Sequence, residues 1–160
     1  MEIFDINKFI IENKYGQYEK NQLIISNINQ IEDEIEHKIE GKKYIIIGHL
    51  LPELIKKESL WKIFVLRCEP NILIERYRLR DYEESKIKDN IVSELIGTVC
   101  YDSIMRYGNN KTFEIDVSNQ SVNNIVDEIH NIVINNIKSV NTIDWLESAH
   151  KSENLREYLN

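Results

Sequence analysis

The chain has 160 residues, 42% hydrophobic and 29% charged, which suits one domain with a buried core and excludes a chain disordered by composition. Acids outnumber bases by 27 to 20, a net charge of −7 that excludes a grip on nucleic acid through the overall field but leaves room for a local basic cluster that binds phosphate. Apolar runs stop at four residues, the N-terminal residues carry no cationic, apolar leader, and Cys68 and Cys100 form no CxxC pattern. No membrane-spanning helix, signal peptide or disulfide framework is therefore expected, and the expected location is the cytoplasm.

Taken in chain order, Glu2–Ile6 is the first strand candidate. Ile28, Ile31, Ile35 and Ile39 recur every three or four residues and predict a helix stopped at Gly41. Tyr44–Ile47 and Ile63–Leu66 are short, unalternating apolar runs, the pattern of strands covered on both faces. Pro70 suits a helix first turn and opens a predicted helix over 71–80. A single long helix is predicted over 83–107, ended by Gly108. Thr112–Asp116 alternates apolar Phe113 and Ile115 with polar neighbours, and Ser121 can cap a helix running to Ile137. After Ser139 the chain turns polar, then offers a short amphipathic tail with Trp145, Leu146, Leu155 and Leu159. Strands separated by helices imply βαβ units, so the expected fold is α/β, a three-layer parallel sheet followed by a helical C-terminal tail.

Three constellations could carry chemistry. Gly48-His49 follows a strand, and ligands of parallel sheets bind beyond the strands' carboxyl ends; His49 either touches such a ligand or bonds a neighbouring loop. Arg76 and Arg80, four apart, share one face of the predicted helix and could fork onto phosphate oxygens; the alternative is a solvated face paired with Glu75, Asp81, Glu83 and Glu84. Arg67 closes the second apolar strand, near the same sheet edge if the strands are parallel, and could equally be an ion-pair partner. Cys68 and Cys100 read as small buried hydrophobes, and His37, His130 and His150 make no ligand spacing, so no metal ligand of the protein is expected.

Read together, these segments resemble the adenylate kinase isoenzyme 6 family, P-loop nucleoside monophosphate kinases that also act in small-ribosomal-subunit maturation. The matching stretches are Phe4-Asp-Ile-Asn-Lys-Phe-Ile-Ile-Glu-Asn-Lys14, Tyr44-Ile-Ile-Ile-Gly-His-Leu50, Ile63-Phe-Val-Leu-Arg67 with Pro70, Leu73-Ile-Glu-Arg76 with Arg80-Asp-Tyr82, Lys88-Asp-Asn-Ile91 with Glu94, and Phe113-Glu-Ile-Asp116. The resemblance implies a kinase-like domain over 1–140, with a monophosphate-binding region near 5–31 and a lid near 79–89, and a separate tail over 141–160. It implies Asp5 and Asn7 at the monophosphate, His49 as the histidine of a Walker-B-like segment, Arg80 as the catalytic lid arginine on the ATP phosphates and Arg76 as its support. The substrates implied are AMP or a related monophosphate and ATP as its Mg2+ complex, with ATPase activity besides. A small-subunit ribosomal protein is the implied partner, without direct contact to nucleic acid or membrane.

Two departures from the family pattern stand out. None of the five glycines lies in a GxxxxGK[ST] loop, and Ile47 stands where the family carries an acidic residue two positions before the histidine. Glu2-Ile3-Phe4 aligns with the family's second strand, so the expectation is an N-terminally truncated form that lacks the P-loop strand and turns over little ATP. The alternative functions are a non-catalytic ribosome-assembly factor and an inactive fragment.

Overall fold

Strands and helices interleave along the chain as the sequence pattern demands, and the α/β class with parallel strands is the one observed. The computed structural model describes residues 2–19, 22–137 and 143–159. They divide into two units, Met1–Trp61 and Lys62–Asn160, each with its own strands and core.

In the first unit, β1 (Glu2–Asp5) pairs in parallel with β4 (Tyr44–Ile47), with Ile3 opposite Ile45 and Asp5 opposite Ile47. Helix α1 (Ile6–Glu12) starts directly after β1 because the Asp5 carboxylate accepts the Lys8 amide at 3.0 Å, and it buries Ile6 and Ile10 completely. Phe4 is buried against the rings of Phe9 and Tyr44. Helix α2 (Ile28–Ile39) buries Ile31, Ile35 and Ile39 of the predicted stripe and leaves Ile28 exposed, and the Asn27 side chain caps it. The Glu36 carboxylate holds the chain after α3 (Leu51–Leu54) by accepting from the Lys56 amide and the Ser59 hydroxyl.

Two expectations fail in this unit. Strand β4 is not covered on both faces: Ile45 and Ile47 are 47% and 45% exposed, and Ile3 beside them is exposed too. A run of β-branched residues can arise from one buried face and one apolar but uncovered face, which the pattern does not separate. An antiparallel hairpin, β2 (Gly16–Glu19) with β3 (Gln22–Ile25), was not foreseen. Its first strand is Gly-Gln-Tyr-Glu, with no apolar alternation to announce it.

In the second unit, β5 (Ile63–Arg67) pairs in parallel with β6 (Thr112–Asp116), Arg67 standing opposite Asp116. The parallel pairing is thus β1 with β4 in the first unit and β5 with β6 in the second. One face of β5–β6 packs Phe64, Phe113 and Ile115 against Ile125, Ile129 and Ile132 of α7 (Val122–Ile134), which ends three residues before the predicted Ile137. Helix α4 (Pro70–Arg78) is capped by the Glu69 carboxylate on the Ile72 amide and stops at Arg78. The predicted helix over 83–107 is two, α5 (Glu84–Ile96) and α6 (Thr98–Tyr107). Gly97 divides them: its φ of +68° is left-handed, and a Cβ there would stand 3.2 Å from the Arg67 guanidinium.

The C-terminal segment α8 (Trp145–Lys151) and α9 (Glu153–Arg156) belongs to this second core. Ala149 and Leu155 are fully buried among Ile74, Ile87, Ile91 and Leu95 of α4 and α5. The boundary at 140/141 expected between domain and tail lies outside the described residues. Among the described residues no helix is long and apolar enough to cross a membrane.

Candidate functional site

Parallel strands point their carboxyl ends, and the loops that follow, to one side, which is where open α/β sheets bind ligands. In the first unit the register sets Asp5 beside Ile47, so the chain leaving β1 and the chain leaving β4 start from the same end of the ladder. That end carries Asp5, Asn7 and Gly48-His49. Gly48 has φ of +150°, and a Cβ on it would approach the Ile6 Cβ to 2.9 Å, so glycine allows the exit of β4 to lie against the start of α1.

The three sequence candidates in this unit differ in state. Asp5 is half-buried and its carboxylate is used by the Lys8 amide. His49 is exposed. Asn7, in the first turn of α1, is half-buried, and its amide oxygen Oδ1 is buried with no hydrogen-bond partner. Among the described residues none donates to it, and an unsatisfied buried acceptor costs about 1–3 kcal/mol, so a donor from outside them would be bound favourably.

The carboxyl end of β5–β6 in the second unit gathers Arg67 and Arg76. Arg67 is 3% exposed and lies in the core: Nε donates to the Glu94 carboxylate at 2.7 Å, Nη2 to the Glu94 backbone oxygen at 2.7 Å, and Nη1 to the Glu114 carboxylate. Burial works against its charge, but hydrogen bonds and proximity to the two carboxylates outweigh it and hold its pKa above the ordinary guanidinium value. The Cys68 amide and the Trp145 indole N–H donate to the same Glu94 oxygen, at 3.2 and 2.9 Å, and the Ile143 amide donates to Glu114 at 3.0 Å. Arg67 therefore ties β5 to α5, β6 and the C-terminal segment. Cys100 lies by the same network; burial first, then the Glu114 carboxylate, push its thiol up to about 11.

Arg76 is half-buried and donates to Cys68 Sγ at 3.3 Å, to the Val117 carbonyl at 3.2 Å and to the Ser118 carbonyl at 2.9 Å. It fastens α4 to the loop leaving β6, where Ser118 Oγ accepts the Glu69 amide at 2.7 Å and donates to Asp116. Arg80 does not share a helix face with Arg76, because α4 ends two residues earlier. It sits exposed in the turn before α5, where its amide donates to the Tyr77 carbonyl at 3.0 Å. The structure thus joins Arg67 and Arg76 through Cys68 and Glu94, and places Arg80 apart from both networks. His49 belongs to the first unit and the three arginines to the second.

Sequence reasoning missed that Glu114 is buried, since alternation in Thr112–Asp116 set Thr112 and Glu114 on a polar face; both are buried. The signal that could have found it is Arg67 itself, a strand-end arginine whose burial requires a carboxylate from a neighbouring strand. Trp145 was read only as part of an amphipathic tail, and its bond to Glu94 has no sequence signature. Among the described residues no group of three or more His, Cys, Asp or Glu stands where it could hold a metal ion.

Comparison with known proteins bears on what these two strand ends do. A family model described as an AAA domain matches residues 2–97. A protein of Methanocaldococcus jannaschii named "Putative adenylate kinase" is 32% identical over 154 residues, covering 92% of this chain and 80% of that protein. Proteins with the same name from Thermococcus kodakarensis and Pyrococcus furiosus are 26% and 25% identical, over 91% and 88% of this chain and 79% and 75% of their own.

Proposed function

The chain belongs to the adenylate kinase-like family of P-loop proteins, and on that premise we propose that it works as a nucleoside monophosphate kinase, passing a phosphoryl group from ATP to AMP or a related monophosphate. In this reading the carboxyl end of β1–β4 receives the monophosphate. Asn7 supplies the acceptor for a donor on the nucleotide, Asp5 fixes the start of α1 beside it, and His49 faces the reacting phosphates. Arg80 meets the ATP phosphates from the turn before α5, and Arg76 supports that region by holding α4 to the loop after β6. Mg2+ enters with ATP as the substrate complex. Phosphoryl transfer asks chiefly for positioning and for positive charge around the moving group, and an exposed guanidinium on a short turn meets the second need.

The observation that carries this reading is the buried, unpartnered Asn7 oxygen at a parallel-strand carboxyl end. Calorimetric titration of the chain with AMP and, separately, with Mg-ATP tests it. Asn7→Leu is expected to weaken AMP about tenfold while leaving ATP unchanged, and Arg80→Ala to weaken ATP about tenfold while leaving AMP unchanged, as loss of one hydrogen bond to a charged or buried group implies. Absence of binding of either nucleotide at millimolar concentration refutes the reading.

A second reading is a binding factor in small-subunit ribosome maturation, favoured by the net charge of −7, which suits a basic ribosomal protein. Capture of small-subunit proteins by the chain at low salt, without nucleotide, supports this role; no such capture removes it.

A further inference from the structure

The turn that carries Arg80 is closed at its base by aromatic stacking. The rings of Tyr77 and Tyr82 lie 5.1 Å apart at 14°, the Tyr82 amide donates back to the Tyr77 carbonyl at 3.2 Å, and Lys86 Nζ sits 4.4 Å from the centre of the Tyr82 ring. Within the turn the amides of Arg80 and Asp81 each donate at 3.0 Å, to Tyr77 and Arg78, and Asp81 has φ of +54°. A non-glycine residue in that region is held there by its surroundings.

What surrounds the base of the turn is the C-terminal segment. Tyr77 and Tyr82 pack on the cluster in which Ala149 and Leu155 are fully buried with Ile74, Ile87, Ile91 and Leu95, and Trp145, Leu146 and Tyr158 pack on the same cluster. The segment is latched at its start by two bonds to carboxylates, the Ile143 amide on the buried Glu114 and the Trp145 indole on the half-buried Glu94. It therefore connects the Arg67 network at the strand end to the stacked tyrosines under Arg80.

We propose that residues 143–158 form a strap that positions Arg80 for the triphosphate, with Trp145 as the positioning residue that latches it. This rests on the reading of Arg80 as a phosphate contact. A short turn has few contacts of its own, so its geometry must be borrowed from what packs under it. Here the support comes from a part of the chain more than sixty residues away in sequence.

The experiment uses the full chain and two strap variants. Trp145→Phe keeps a ring but loses the bond to Glu94; Leu155→Ala removes buried volume under the tyrosines, and the milder variant serves if the second fails to fold. Hydrogen exchange is followed at the amides of Arg80, Asp81 and Tyr82 and compared with amides of the β5–β6 ladder, and ATP affinity is measured in parallel. Expected are about tenfold faster exchange at the three turn amides with ladder amides unchanged, a three- to tenfold loss of ATP affinity, and no added loss when either variant is combined with Arg80→Ala. Unchanged turn exchange in a folded variant overturns the strap, whatever ATP does. Faster exchange with undiminished ATP affinity, while Arg80→Ala weakens ATP, overturns the positioning role and leaves the function intact. If Arg80→Ala itself leaves ATP affinity unchanged, the phosphate-contact reading falls and the strap's stated purpose falls with it.

Discussion

Replacing Arg67 by Met tests the central claim about the second unit, that a single buried cation ties its parts together. The variant keeps most of the side-chain volume but removes three charge-assisted hydrogen bonds, two of them to carboxylates, and strands Glu114, whose side chain is 3% exposed, and Glu94, at 16%. Removing one partner of a buried pair costs about 3–5 kcal/mol, a large share of the 5–15 kcal/mol by which a domain is ordinarily stable. With a urea slope of about 2 kcal/mol per molar, the midpoint should fall by about 1.5–2.5 M. Trp145 fluorescence in a Trp61→Phe background reports this unit, because the Trp145 indole is bonded to Glu94. Adding Glu114→Gln should restore a measurable part of the loss, since a neutral amide is cheaper to bury than a lone carboxylate. A loss below about 1 kcal/mol would mean that these groups are solvated and the reasoning is wrong.

Three further outcomes are expected. The Cys100 thiol stands at about 11 in the folded chain, while an unfolded thiol titrates near 8.5; between those values the unfolded chain holds fewer protons, so stability falls as pH rises, by at most about 3 kcal/mol. Denaturation at pH 8 and pH 10.5 checks this, and Cys100→Ala should flatten the decline; an equal decline in the variant contradicts it. Arg76→Ala should lower thermal stability by about 2 kcal/mol through its lost bonds to the Val117 and Ser118 carbonyls, whereas Arg80→Ala should change it by less than about 0.5 kcal/mol, as calorimetric melting will show. Gly97→Ala should cost about 1–2 kcal/mol, because it places a Cβ at a left-handed φ and against the Arg67 guanidinium, and urea unfolding measures it.

The strands β1, β4, β5 and β6 and the helices α2, α4 and α7 were legible because each depends on neighbours in sequence: an apolar run or period, a capping Ser, a proline in the first turn, a glycine stop. The hairpin at 16–25 and the break at Gly97 were not, and the reasons differ. Strand β2 has no apolar face to read, while glycine in a helical pattern is as consistent with a tolerated residue as with a left-handed cap until Arg67 is seen beside it. The candidate site divides in the same way.

Residue identity and spacing singled out His49 and the three arginines and suggested phosphate chemistry for Arg76 and Arg80; Asp5 and Asn7 came in only through the family resemblance. Long-range packing assigned the work among the arginines, burying Arg67 between Glu94 and Glu114, spending Arg76 on the Val117 and Ser118 carbonyls, and leaving Arg80 exposed on a turn. A guanidinium's charge is set by its chemistry and can be read one residue at a time. Whether that charge is neutralised inside the protein or presented to a ligand depends on carboxylates and carbonyls 27 to 47 residues distant, which only the folded chain brings within reach.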